Sequence, residues 1–434
     1  MAEFLQLLKQ NRNYRNTWLG QVVSEIGDYF NNIAVFGLVM ETSGSGLVVS
    51  GVMLSRAIPA VVAGPIAGVL LDRFDRKRIM IASDLVRAIV AIGFIFTIRY
   101  HEPWLLYTLS GLLMFASPFF TSGRTTILPS IASQEELHTA NSLTQTTQWA
   151  TLTAGTLLAG FSAARFGYAW AFVINSLSFL FSAVAISLLR GGEAGFRAQR
   201  ADVKETEAVH PWGEYAAGLR YMRSVPLIFG IGLLSVGWAA GGGAAQVLFA
   251  LFGEQVFHRG PQGIGAIWGF AGIGLLLGGA IGHITGRRTG FADYKRTVTL
   301  SYASHGLTYV IFSLVPQYWQ ALIFILLSRV GMAAVSVLNY SQLLRHTPDE
   351  FRGRVFATME SLRWSTMMVS LAAAGIASQY FSPRTIGVVA GLFGCLTAGG
   401  WAWANWRGWL PQPVTEHAGT SDARSSDSFT RSVS

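Results

Sequence analysis

Gly64-Pro-Ile-Ala-Gly68-Val-Leu-Leu-Asp72-Arg73-Phe-Asp75-Arg76-Lys77-Arg78-Ile79-Met80 is the stretch on which the fold turns. An apolar run ends in glycines, a short charged hinge follows, and a second apolar run begins at once. Gly64 and Gly68 stand four apart, so they share one helix face and are expected to let a neighbouring helix approach closely. Asp72 is an acid among Arg73, Arg76, Lys77 and Arg78, placed where a membrane edge would fall.

Composition widens the same reading. Of 434 residues only 13% are charged and 51% are hydrophobic, against about 25% charged in soluble proteins. Most of the chain is therefore expected to contact lipid or other apolar helices. Twelve apolar runs reach membrane-spanning length: 18–39, 47–71, 79–98, 104–123, 141–163, 169–189, 225–249, 264–284, 298–315, 319–337, 355–378 and 385–406. The first is too long for a secretory leader, and it carries Glu25 and Asp28. The single cysteine, Cys395, excludes an internal disulfide and any multi-cysteine metal site, and reads as a packing residue.

Orientation follows from Lys and Arg. With the N-terminus inside, 24 of the 32 basic residues fall in inside segments and 4 outside. The other 4, Arg56, Arg87, Arg329 and Arg363, lie within apolar runs. Both termini are expected to be cytoplasmic, in a cytoplasmic (inner) membrane. The net charge of +9 is thus a topology signal, and no nucleic-acid partner is expected.

The longest polar stretch between runs divides six from six. The expected organisation is a six-helix half over 1–189, a linker over 190–224 with a surface helix near Trp212–Met222, a second half over 225–410, and a disordered tail over 411–434. The halves match at an offset of 214. Gly68-x-x-x-Asp72-Arg73 falls on Gly282-x-x-x-Gly286-Arg287, Glu135-Glu136-Leu137 on Asp349-Glu350-Phe351, and Asn32 on Gln246.

The glycines, acid and basic cluster of residues 64–78 resemble the loop signature between the second and third helices of the major facilitator superfamily, with Asp75 where that signature usually has Gly. Ser24-x-x-Gly27-Asp28, Leu128-Pro129, Ala140-Asn141 and Thr347-Pro348-Asp349-Glu350-Phe351-Arg352-Gly353-Arg354-Val355 are similar to the bacterial branch of enterobactin and macrolide exporters. The similarity spans roughly residues 12 to 406. It implies an all-α membrane protein of twelve transmembrane helices in two six-helix pseudo-repeats, working by alternating access. It implies export of a small organic molecule, commonly against a proton gradient. It also implies that Asp72 and Arg124 join an inner-face network with Gly64, Gly68, Arg73, Arg76 and Lys77 as the gate. Gly155-Thr-Leu-Leu-Ala-Gly160 lacks the proline that exporters of the superfamily often carry there, which weakens the case for antiport.

Polar residues inside apolar runs face a cavity or a partner, because a charge in lipid costs about 2.5–3.5 kcal/mol. Gln21, Glu25, Asp28 and Asn32 share one stripe. Two carboxylates there suit a proton carrier, with Asp28 deeper than Glu25. The other reading is a structural seam paired to Arg56. Asn141, Gln145 and Gln148 form a second stripe, for substrate contact or helix association. Arg56 and Arg329 each call for an acidic partner or an anionic ligand. Glu360 and Arg363 are three apart and either pair together or face the cavity with Gln246. His283 and His305 read as packing residues.

No phosphate-binding loop and no nucleophile motif occurs, so neither an ATP motor nor an enzyme is expected, nor any cofactor or metal. The expected partners are a small-molecule substrate (siderophore, drug or metabolite), protons and the bilayer, with the chain a monomer. The alternatives are uptake or lipid translocation and, from another class, a non-transporting receptor or scaffold. The intact Asp72 hinge and the paired carboxylates argue against the last.

Overall fold

The computed structural model describes residues 2–191, 196 and 211–413, and among these it is helical without strands. A short helix α1 (Ala2–Gln10) precedes α2 (Arg12–Ser43), α3 (Gly46–Arg73), α4 (Arg76–Gly93), its short continuation α5 (Ile95–Tyr100), α6 (Pro103–Ile131), α7 (Gln134–Phe166) and α8 (Tyr168–Ser187). After α9 (Pro211–Ser224) come α10 (Pro226–Leu251), prolonged by a π-helical turn (Phe252–Val256), then α11 (Gly260–Arg288), α12 (Phe291–Leu314), α13 (Tyr318–His346), α14 (Asp349–Ala377) and α15 (Pro383–Trp406). The surface helix read from the sequence is α9. The tail from 414 lies outside the described residues, as does most of the linker.

Among the described residues eight rods are long and apolar enough to cross a membrane: α3, α4 with α5, α6, α8, α10 with its π turn, α11, α13 and α15. The twelve runs of the sequence reading therefore resolve into two kinds. The remaining long helices, α2, α7, α12 and α14, carry the charges and amides that lower their apolarity, Glu25 and Asp28 on α2 and Glu360 and Arg363 on α14 among them. Three of these four wall the cavity described below. The outer surface is apolar in turn: Ile89, Leu300 and Leu396 are each 71% exposed. Such a surface is stable against lipid and not against water.

Local signals set the helix ends. Ser133 and Glu136 form a reciprocal cap at the start of α7. Asp349 and Glu350, which fall on Glu135 and Glu136 in the repeat, open α14. Asp75 caps α4 by accepting the Arg78 amide at 3.0 Å. The departure from glycine at this position thus has a local reason.

Helices α2 to α8 pack chiefly on one another, and α10 to α15 do the same. The two groups meet along α7–α11 and α3–α14. A Cβ on Gly265 would come within 2.7 Å of the Gly160 Cα, and one on Gly46 within 2.8 Å of the Ser378 Cβ. These close approaches lie toward the ends of α7 and α3 away from the basic hinge. At the hinge end of α3, a Cβ on Gly64 or Gly68 meets nothing within 4 Å. The groups are sealed on one face and the α3–α14 seam opens toward the other, the basic face.

Candidate functional site

The seam encloses a central cavity of about 430 Å³. Tyr29, Asn32 and Phe36 reach it from α2, Arg56 from α3, Met114 from α6, Leu152 and Thr156 from α7. Gln246 enters from α10, Trp268 from α11, and Trp364, Met367 and Met368 from α14. Aromatic rings and thioethers dominate the walls, and few polar groups interrupt them, as in sites for drug-sized ligands. Both groups of helices contribute.

Asn32 and Gln246, equivalent in the repeat, face the cavity from the first long helix of each group. Asn32 keeps a buried Oδ1 with no hydrogen-bond partner among the described residues. Arg56 is 8% exposed and its Nη2 lies 3.5 Å from Asn31 Oδ1. Asp28, one turn from Asn32, has a buried Oδ1 that likewise lacks a partner. Its carboxylate lies within electrostatic reach of Arg87 and Arg56 but is bonded to neither.

The rest of the α2 stripe is fully engaged. Glu25 accepts from Gln21 at 2.8 Å and from Thr151 of α7 at 2.7 Å, and Arg124 of α6 stands 3.7 Å away. Deeper in the same group Asp84 and Arg87 form a buried ion pair, with the guanidinium between the rings of Phe120 and Phe179.

With the basic face open, the other candidate residues take these places. The carboxylate partner of Arg124 is Glu25, while Asp72 is exposed and in no ion pair among the described residues. Arg76 and Lys77 donate instead to backbone carbonyls, of Thr126 at 2.9 Å and Leu189 at 2.8 Å. Leu189 lies just past the end of α8, where a carbonyl has no intrahelical donor. Arg73 is exposed. Gly64 and Gly68 touch no neighbour because the seam is open there. Their repeat counterparts make the close approach, Gly278 to the Val330 Cα and Gly282 to the Ala334 carbonyl, each at 2.8 Å from an added Cβ.

Asn141 and Gln145 are exposed and Gln148 is half-buried, and none lines the central cavity. The helix rises about 1.5 Å per residue, so they sit at least a turn closer to the basic face than Leu152. Arg329 is outside the cavity too and has no acidic partner among the described residues. It lies over the rings of Phe249 and Tyr309. Glu360 and Arg363 pair with each other, and line a separate cavity of about 320 Å³ within the C-terminal group. His305 is buried against Ser328, whereas His283 is exposed. The sequence reading missed Trp268, Trp364, Met367 and Met368. Inside apolar runs such residues look the same whether they face lipid or a cavity.

Comparison with known proteins adds the lineage. The family model of the Major Facilitator Superfamily matches residues 17–365. The macrolide efflux protein A of Streptococcus pyogenes is 25% identical, over 86% of this chain and 89% of its own. The enterobactin exporter of Shigella boydii serotype 4 is 26% identical, over 81% of this chain and 82% of its own. A crystal structure of a bacterial homologue of the iron transporter ferroportin in an inward-facing state superposes with a TM-score of 0.69 at 18% identity, covering 90% of this chain and 98% of that one. At that identity the likeness speaks for the fold alone.

Proposed function

Because the chain belongs to the Major Facilitator Superfamily and is a multi-pass membrane transporter, we propose that it exports an amphipathic organic molecule in exchange for protons, with Asp28 as the proton carrier. The carrying observation is the central cavity, whose Trp268, Trp364 and methionine walls surround the polar trio Asn32, Arg56 and Gln246. Flat apolar parts of a substrate would stack on the rings, and its carbonyl or hydroxyl groups would meet the amides and the guanidinium. The names of the macrolide and enterobactin exporters support molecules of that kind.

Asp28 supports the coupling. It stands a turn from Asn32, with a sealed oxygen that has no bond to lose. Protonation would cancel its field on Arg56, and return of the charge would compete with substrate for that guanidinium. Twelve spans, in the cytoplasmic membrane with both termini inside, complete the reading. The excess of basic residues on one face supports that orientation. The open seam then faces the cytoplasm, and Gly64, Gly68 and the Asp72 hinge close it in the other half of the cycle.

The test uses proteoliposomes holding a pH gradient and a pH-sensitive dye, challenged with a panel of macrolides and catecholate siderophores. At least one compound is expected to collapse the gradient with wild-type protein and not with Asp28→Asn, while still exchanging passively. Equal proton movement in the two proteins would remove Asp28 as carrier. No proton movement with any compound in the wild type would remove the coupling.

A further inference from the structure

The buried charges of the two helix groups are unequal. The N-terminal group encloses Glu25, Asp28 and Asp84 together with Arg56, Arg87 and Arg124. In the C-terminal group Glu360 and Arg363 pair with each other where both are partly exposed. Arg329, halfway along α13 and 8% exposed, is left over. Among the described residues the ionisable groups that interact with it are Tyr309 and His305, and neither is an acid of the carboxylate kind. A guanidinium buried without a counter-charge is costly, more so in a protein surrounded by lipid.

Around it the structure gathers donors. Arg329, Tyr309, His305 and Trp238 line a small void of about 10 Å³, closed on one side by Gly237, Gly241 and Gly242 of α10. Among the described residues the buried Tyr309 hydroxyl has no hydrogen-bond partner, and neither has the buried Trp238 Nε1. His305 is engaged through its Nδ1, which lies 3.1 Å from the Ser328 carbonyl and 2.8 Å from its hydroxyl. The guanidinium contacts two ring faces, of Phe249 at 5.4 Å and Tyr309 at 5.7 Å, and the Met332 sulfur at 3.6 Å. Rings and a thioether soften the charge without cancelling it.

We propose that this void is a binding site for a single monatomic anion, chloride under ordinary conditions, held by Arg329, the Tyr309 hydroxyl and the Trp238 indole N–H. The void is the size of a single water, so carboxylates and phosphates are excluded, and a chloride, a few tenths of an ångström larger in radius, needs only a small shift of the flexible Arg329 side chain. A water would accept from the same donors but leave the positive charge unbalanced. A halide satisfies the donors and the charge together. The site is separate from the central cavity and is independent of what that cavity transports.

The experiment measures thermal unfolding of the full-length purified protein in detergent, in potassium chloride, bromide or gluconate at one ionic strength, and binding of radiolabelled chloride by scintillation proximity. Chloride and bromide are expected to raise the unfolding temperature saturably over gluconate, with labelled chloride bound at one site. Arg329→Gln is expected to abolish both effects. Tyr309→Phe, which keeps the ring beneath the guanidinium, is expected to weaken chloride about tenfold through loss of one charge-assisted hydrogen bond. If Arg329→Gln fails to fold, the Tyr309→Phe titration decides. An unfolding temperature indifferent to the anion, with no labelled chloride bound, would mean a water only and overturn the proposal. Unchanged chloride affinity in Tyr309→Phe, or in a folded Arg329→Gln, would place the anion elsewhere and overturn it equally.

Discussion

Arg124 of α6 stands 3.7 Å from Glu25 of α2, and this ion pair ties two long helices inside the N-terminal group. Both side chains are largely shielded, 13% and 21% exposed, and Gln21 and Thr151 complete the carboxylate. Removing one partner strands the other. Glu25→Gln and Arg124→Gln are each expected to lower the unfolding temperature, and the double variant to lose less than the two added together. A coupling of roughly 1–2 kcal/mol is expected from a double-mutant cycle of contacting charges. Strict additivity would show that the two side chains do not act as a pair.

The glycines on the two faces make opposite demands. A side chain at Gly265 must displace the backbone of Gly160, whereas one at Gly64 or Gly68 enters open space. Gly265→Val is therefore expected to break the sealed face and lower the unfolding temperature by several degrees. Gly64→Val and Gly68→Val are expected to leave it within a degree or two of wild type. They should nevertheless slow transport sharply, because closing the basic face needs the helix approach that these glycines permit. Paired cysteines across the α3–α14 seam near Gly64, in a background lacking Cys395, report the closure. Unimpaired closure in Gly68→Val would separate these glycines from the gate.

How much was legible in the sequence depends on what each residue reports. Lipid forces long apolar runs, so the helices show in the sequence with ends shifted by a few residues. The repeat offset found Asn32 and Gln246 because equivalent positions occupy equivalent places. Asn141, Gln145 and Gln148 shared a helix face as spacing predicts, but spacing says nothing of depth along a 33-residue helix. That Arg124 stands beside Glu25 in the open arrangement was not legible, because pairing is a three-dimensional property: Glu25 and Asp72 are both acids at plausible heights. Trp268 and Trp364 gave no signal, since a tryptophan in an apolar run suits lipid and cavity alike.

Asp75 offers a sharper local test. Its carboxylate accepts the Arg78 amide at the start of α4. Asp75→Ala is expected to cost about 1 kcal/mol, and Asp75→Gly only a few tenths, because glycine leaves the end of the helix open to water. Thermal unfolding of the two variants checks the ranking. An alanine variant as stable as the glycine variant would show that the Arg76 and Lys77 bonds to neighbouring carbonyls hold this helix end without the cap.

The linker helix α9 packs on α14 and α10, both of the C-terminal group, and this fixes which helix group it moves with. Glu214 pairs with Arg354 of α14, Tyr221 stacks on Phe351 with ring centroids 4.6 Å apart, and Met222 is 1% exposed beneath. Gly218 allows the approach, since a Cβ there would come within 2.7 Å of the Arg354 carbonyl. The ion pair itself is exposed, and such pairs contribute about 0–1 kcal/mol. The stack and the glycine contact should therefore carry the attachment. Glu214→Gln is expected to leave α9 in place, whereas Gly218→Leu is expected to release it and expose the Arg220 and Arg223 peptide bonds to limited trypsin digestion. Cleavage in Gly218→Leu should rise severalfold over wild type in membranes of one orientation, with the unfolding temperature of the remaining helices little changed. Equal cleavage in Gly218→Leu and wild type would show that α9 stays docked without the close approach. Faster cleavage in Glu214→Gln than in Gly218→Leu would make the ion pair the main attachment instead.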